Sequence, residues 1–263
     1  MRKFIALFCC VGVGACTKVI DLKVHNSPAV YVIEGNVTDQ PGPYTVKVSK
    51  TVGFYTGNQY PGVTGAMVTI ADDAGHKDRL TDNGDGTYST VSLQGVTGQT
   101  YTLQVVIGKD TFAGVSSMPA RVNLDSVVIE SVLNGGKAVL VAVPKFVNPR
   151  GQGGDYYYFD QTIDGYLDRS FYYWTDQFSA GLTNNFSLER ASNDSTLHLG
   201  DTVRVEMQCL DEPMYNYWVG VDQSASESEQ ANPGNPVTNL TGGALGYFSA
   251  HTSQVKGARV RQQ

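Results

Sequence analysis

Tyr101-Thr-Leu-Gln-Val-Val-Ile107 decides the fold class. Tyr101, Leu103, Val105 and Ile107 fall on one side of an extended chain and Thr102 and Gln104 on the other, the period of two expected of a strand with one buried face. The same alternation recurs on both sides of it. Upstream, Tyr44, Val46 and Val48 oppose Thr45, Lys47 and Ser49. Further short runs at Val30 to Gly35, Gly65 to Asp72, Lys77 to Thr81, Thr87 to Leu93 and Thr111 to Met118 are broken by Gly, Pro, Asn and Asp. Seven short strands within about ninety residues, with turn signals between them, predict an immunoglobulin-like β-sandwich over residues 29–121.

Pro119 to Asp125 reads as a change of domain, and a second β-sandwich-like domain is expected over residues 122–263. Asn134-Gly135-Gly136 between Ser126 to Leu133 and Lys137 to Phe146 is a hairpin signal. The aromatic strand Tyr156 to Ile163 follows. Thr202 to Cys209 alternates again, with Val203, Val205, Met207 and Cys209 inward, so Cys209 is expected as a small buried hydrophobe. One short helix is predicted at about 212–223. Asp211 can cap it, Pro213 suits its first turn, and Met214, Tyr217, Trp218 and Val221 recur at helical spacing, so it should lie flat on the second sheet. Ala244 to Ala250 and Gln254 to Val260 read as the closing strands. The whole is a mostly β chain of two sandwich-like domains.

Composition agrees. Only 17% of the 263 residues are charged, against roughly 25% in an average domain, while 41% are hydrophobic, which supplies a core and excludes a disordered chain. A net charge of −6 with scattered Lys and Arg leaves no electrostatic footprint for nucleic acid.

The start of the chain carries an address. Arg2 and Lys3 precede an uncharged, mainly apolar run from Phe4 to Val13, and Val13-Gly14-Ala15-Cys16 puts small residues before a cysteine. This is the pattern of a signal peptide over residues 1–15 that ends in a lipoprotein box. Cys16 is the expected lipidation site, residues 16–28 the lipidated tether, and the membrane a partner through the N-terminal acyl chains. Cys9 and Cys10 leave with the signal, so of four cysteines only Cys209 remains in the body and no internal disulfide can form.

Candidate chemistry is sparse. Asp82-Asn83-Gly84-Asp85-Gly86 suggests calcium, but the spacing misses an EF-hand loop and a hairpin turn explains the same residues. His25, His76, His198 and His251 are scattered and fit no zinc pattern, and no nucleophile elbow or phosphate loop is present. No catalytic residue, metal or cofactor is assigned. The Tyr-rich stretch from 156 to 174 offers flat faces for sugars or other ring ligands, and Tyr156, Tyr158, Tyr166, Tyr172 and Trp174 are the aromatics expected to face one.

Several segments together carry a resemblance. They are Cys16-Thr-Lys-Val-Ile-Asp-Leu22, Val32-Ile-Glu-Gly-Asn-Val-Thr-Asp39, Asp82-Asn-Gly-Asp-Gly-Thr-Tyr88 and, most distinctively, Asn235-Pro-Val-Thr-Asn-Leu-Thr-Gly-Gly-Ala-Leu-Gly-Tyr-Phe-Ser-Ala250. In order, they resemble the Bacteroidota lipoprotein family catalogued as domain of unknown function 4249. The resemblance implies an outer-membrane lipoprotein whose partner is a TonB-dependent transporter in nutrient uptake. It brings no functional residues with it. The glycines of the last segment read on their own as a structural corner that permits close backbone approach. The expectation is therefore a non-enzymatic, lipid-anchored binding protein of the envelope. A stand-alone surface glycan-binding or adhesive protein is the alternative, and a hydrolase of unrecognised type the third reading.

Overall fold

Every strand predicted above has its counterpart in the computed structural model, which describes residues 28–53, 60–149, 154–179, 181–191, 196–225 and 234–262. The signal peptide, Cys16, nearly all of the tether and most of the polar stretch before Pro236 lie outside the described residues. The first half consists of β1 (Tyr31–Thr38), β2 (Thr45–Lys50), β3 (Met67–Asp72), β4 (Lys77–Arg79), β5 (Thr81–Asp82), β6 (Thr87–Ser89), β7 (Thr100–Ile107) and β8 (Asp110–Ser117). The second half adds β9 (Ser126–Asn134), β10 (Lys137–Lys145), β11 (Tyr156–Ile163), β12 (Tyr166–Leu167), β13 (Tyr172–Thr175), β14 (Thr202–Leu210), the helix α1 (Glu212–Ala225), β15 (Leu240–Thr241) and β16 (Leu245–Arg259). The chain is mostly β and sandwich-like.

Its organising element is β16. The two closing strands expected from sequence are one strand of 15 residues. From Leu245 to His251 it runs parallel to β1, and from Thr252 to Arg259 antiparallel to β14. This joins β12, β11, β14, β16, β1, β2, β6 and β5 into one sheet, with β13 also on β11. A second sheet, β15-β8-β7-β3-β4, packs on one end of it, and the β9–β10 hairpin packs on the other.

Two cores result. In the first, Ile33, Val46 and Val48 of the large sheet and Phe248 of β16 meet Ile70, Leu103 and Val105 of the second sheet. In the other, Tyr157, Phe159, Val205 and Met207 meet Ala142 and Phe146 from the hairpin side. Cys209 is buried there, as its place in the alternation predicts, and burial pushes its thiol pKa up. The 119–125 linker is clamped between the cores. Gln254 accepts the Leu124 N–H at 3.1 Å and donates to the Val122 carbonyl at 2.6 Å, while Arg121 pairs with Asp39 at the end of β1.

The parallel approach of β16 to β1 depends on Gly246. Its φ is +96°, and a Cβ there would stand 2.0 Å from the Ile33 carbonyl oxygen. Gly242 is similar, with a Cβ position 2.4 Å from the Thr111 oxygen. The glycine-rich segment is thus the corner predicted for it, and strand alternation divides its large side chains between the two faces of the sheet. Phe248 faces the first core, Tyr247 points to the opposite side of the sheet, and Leu245 is only partly buried.

The helix begins as predicted. The Asp211 carboxylate accepts the Met214 N–H at 3.1 Å, the N-cap bond that satisfies one of the free donors of the first turn. Its other oxygen accepts from the Ser116 hydroxyl at 2.8 Å and the Ser117 N–H at 2.9 Å, which ties the helix start to β8. Among the described residues no helix is long and apolar enough to cross a membrane.

Candidate functional site: a groove beside the helix

Alternation gives the large sheet an inner face of apolar residues and an outer face of polar and aromatic ones. Helix α1 covers part of that outer face. Met214 is fully buried and, with Tyr158 and Leu210, seeds a cluster that includes Tyr156, Tyr173, Tyr217, Trp218 and Tyr247. The Tyr158 and Trp218 rings stack with centroids 4.5 Å apart, and Tyr156 packs on Tyr215 at 5.0 Å.

This settles where the aromatics singled out by sequence lie. Tyr156 and Tyr158 do face away from the second core, but the helix lies over them and Tyr158 is buried. Tyr172 and Trp174 point to the other side. Tyr172 sits in the second core with its hydroxyl donating to Asp168 at 2.9 Å, and Trp174 stacks on Phe186. Tyr166, 80% exposed on the short edge strand β12, is the one of the five that stands free. Strand alternation by itself sends half of a run of aromatics into a core. It could not say that a helix fifty residues later roofs the rest.

The groove itself opens where the helix stops covering the sheet. Its floor is Val32 and Glu34 of β1, Lys47 and Ser49 of β2 and Leu245 of β16, with Tyr217 and Pro236 on one side and Tyr60 on the other. The space is about 390 Å³, within the size range of small-molecule sites. Glu34 and Lys47 are register partners on adjacent strands and form an ion pair at 3.5 Å, both partly exposed. Tyr217 is held by Tyr247 at 5.1 Å and by Trp218 in an edge-to-face contact at 5.5 Å. Burial pushes its phenol up to about 12, so it stays a neutral hydroxyl. Gly220 lets the returning chain lie against the helix, since a Cβ there would meet Pro236 at 3.3 Å. A mixed ion pair between two tyrosines can orient a polar ring ligand. Sequence reasoning missed it because Pro236 and Tyr217 reach Glu34 only through the parallel pairing of β1 with β16, and Tyr60 only through the bridge of its segment to β2.

Two other regions draw notice but have their polar groups committed to the fold. A concavity of about 310 Å³ is lined by Asp72, His76, Asp78 and the 92–99 segment. Asp78 spends one oxygen on the N–H groups of Val91, Ser92 and Leu93, and Asp72 holds His76 at 2.9 Å. The Asp82 to Gly86 segment is a turn with Gly84 and Gly86 at positive φ. Asp82 accepts the N–H groups of Gly65 and Gly84, which lowers its pKa, and Asp85 is lowered by Thr87. Among the described residues no three His, Cys, Asp or Glu side chains converge on a metal position.

Further along the outer face runs a polar row. Ser249 and His251 are both buried and bonded to each other at 2.9 Å. Ser253 donates to Glu206 at 2.6 Å, and Gln208 reaches Asp160 at 3.3 Å. Burial holds His251 down at about 4, and burial together with Glu206 lifts Asp160 to about 6. With Ser249 only 2% exposed, the Ser249–His251 pair does not present a reactive hydroxyl to solvent.

In comparison with known proteins, a family model described as Domain of unknown function (DUF4249) matches residues 17–256. No curated protein matches the chain.

Proposed function

The chain belongs to the DUF4249 family of domains of unknown function, and from that premise we propose that it is a non-enzymatic binding protein of the cell envelope, anchored through acyl groups on Cys16 and acting beside a TonB-dependent outer-membrane transporter. The lipoprotein box supports the anchor. What carries the choice of recognition over bond-making is the groove, where an ion pair and two tyrosines converge on about 390 Å³ of open space. Glu34 and Lys47 neutralise one another, so the groove favours a polar, uncharged or zwitterionic guest over a strongly charged one.

Affinity capture of the full-length lipoprotein from solubilised membranes tests the partner. A TonB-dependent transporter should be enriched, and its absence from the captured proteins overturns that assignment. The tyrosines favour a second reading, a stand-alone glycan binder, because an aromatic face and adjacent hydrogen-bonding groups suit a sugar ring. Tyr60 is 54% exposed, so Tyr60→Ala should leave the melting temperature nearly unchanged. On a glycan array it should weaken any binding about fivefold, the equivalent of about 1 kcal/mol for a lost ring contact. Glycan binding that survives both Tyr60→Ala and Lys47→Ala removes the groove from either reading.

A further inference from the structure

At the far end of the second core, buried oxygen atoms gather without partners. Asp176 follows β13 directly and is fully buried. One of its carboxylate oxygens accepts the N–H groups of Gly154 and Asp155, each at 2.9 Å, and its own N–H donates to the Asp155 carbonyl at 3.2 Å. This clamp brings the start of β11 to the end of β13 and sets the Asp155 carboxyl beside that of Asp176. The second oxygen of Asp176 accepts from no N–H or hydroxyl donor, and its carboxylate lies within hydrogen-bonding reach of the Asp155 carboxyl.

Two more side chains repeat the pattern. Tyr157 is fully buried, its hydroxyl lies within the field of both carboxylates, and it makes no hydrogen bond. Asn148 is 1% exposed. Its amide nitrogen donates to the Ser179 hydroxyl at 2.9 Å, the Ser179 N–H donates to the Asp176 carbonyl at 2.8 Å, and the Asn148 amide oxygen has no partner. Native folds rarely leave buried polar atoms unpaired, and the Asp176 oxygen with the Tyr157 hydroxyl beside it, and the Asn148 amide oxygen on a side chain tied to the same segment through Ser179, mark a place where something else completes the bonding.

We propose that this corner is a binding site for a hard divalent cation of the calcium type, held by the carboxylates of Asp155 and Asp176 with the Asn148 amide oxygen and the Tyr157 hydroxyl completing the protein's share of the shell. The donor chemistry selects the class. All four groups offer oxygen, two of them are anionic, and only the Tyr157 hydroxyl brings a hydrogen of its own. A bridging water supplies hydrogen bonds but leaves two adjacent carboxylates uncompensated, whereas a cation answers both needs at once. The nearby Cys209 thiol is kept protonated by burial and belongs to no cluster of metal-binding type, which argues against a soft metal. An irregular, mixed set that leaves room for water suits calcium better than magnesium, which demands a near-octahedral shell.

Terbium(III), a luminescent stand-in for calcium, tests the site in the chelator-treated full chain. Tyr157 and the neighbouring Trp174 should sensitise its emission, and calcium should displace it with a Kd of about 0.1–1 mM, the range of extracellular modules. Calcium should also raise the melting temperature. Asp155→Asn, at a partly exposed position, should abolish both responses and keep the fold. Asp176→Asn should do the same, because the amide oxygen can still accept the two backbone N–H groups. Asp85→Asn should leave both responses intact. The proposal is overturned if calcium changes neither signal, if the emission survives Asp155→Asn, or if it is lost instead in Asp85→Asn. It is equally overturned if calcium is inert and the wild type simply gains stability on acidification that Asp155→Asn abolishes, since a shared proton then does the cation's work.

Discussion

Replacing Phe248 by alanine should cost about 3–5 kcal/mol of unfolding free energy and should lower the unfolding midpoint of both cores together, although the ring lies in only one of them. The cost follows from burial. Phe248 is fully buried between the two sheets of the first core, so truncation removes its transfer free energy and leaves a cavity that close-packed neighbours fill only in part. The coupling follows from β16. Its first seven residues pair with β1, and the next eight pair with β14 in the sheet that bounds the second core. Loosening the first stretch removes the anchor of the second, and the Gln254 clamp on the linker goes with it. The chain holds two tryptophans, Trp174 in the second core and Trp218 on the helix. Trp218 packs on Tyr247 beside Phe248, so urea unfolding is followed by the fluorescence of Trp174 alone, in a Trp218→Phe background, which reports on the second core. The fluorescence midpoint should move with the backbone signal from circular dichroism. A variant in which Trp174 unfolds at the wild-type urea concentration, while the backbone signal splits into two steps, shows that the halves are independent and refutes the role given to β16.

How much of this was legible in the sequence depends on whether a feature is local. Alternation along Tyr101 to Ile107 and Thr202 to Cys209 states which face is buried, and the structure agrees because side-chain period is a property of the strand alone. The helix could be read from Asp211 and the spacing of Met214, Tyr217 and Trp218 for the same reason. The closing strand was harder. His251, Thr252 and Ser253 interrupt the apolar pattern and read as a break between two strands, yet His251 and Thr252 are buried. They stay in the sheet because their polar atoms find partners, Ser249 for His251 and the Cys209 N–H for Thr252. The Thr252 partner, 43 residues away, leaves no local signal. The groove is less legible still. Glu34 and Lys47 are visible as a cross-strand pair once β1 and β2 are aligned, but Tyr60, Tyr217 and Pro236 join them only through the topology.

His251 and Asp160 lead to an expected result of a different kind, a pH profile of stability that is flat only because two titrations oppose one another. Burial depresses His251 from 6.5 in the unfolded chain to about 4 in the fold. The folded state therefore needs the neutral ring. Its contribution is complete above pH 6.5 and is lost as pH falls toward 4, by about 3 kcal/mol at one pKa unit per 1.36 kcal/mol. Asp39 lies close enough to favour the charged ring but does not offset burial. Asp160 works in the other direction. Burial and the neighbouring Glu206 raise it from 3.8 to about 6, so the folded state takes up its proton first, and stability is gained as pH falls through 6 and levels off below 3.8. The carboxylates held low, such as Asp72 and Asp168, lose their contribution only below 3.8, outside the window. Between about pH 4 and 6.5 the wild type should thus change little. His251→Asn, whose amide can keep the bond to Ser249, should become more stable on acidification, and Asp160→Asn should become less so. Each substitution also carries a pH-independent packing cost, so the slope of the urea midpoint against pH is the quantity to compare, not its height. Identical slopes in the wild type and His251→Asn show that the ring is protonated at no cost to the fold, and the balance described here does not exist.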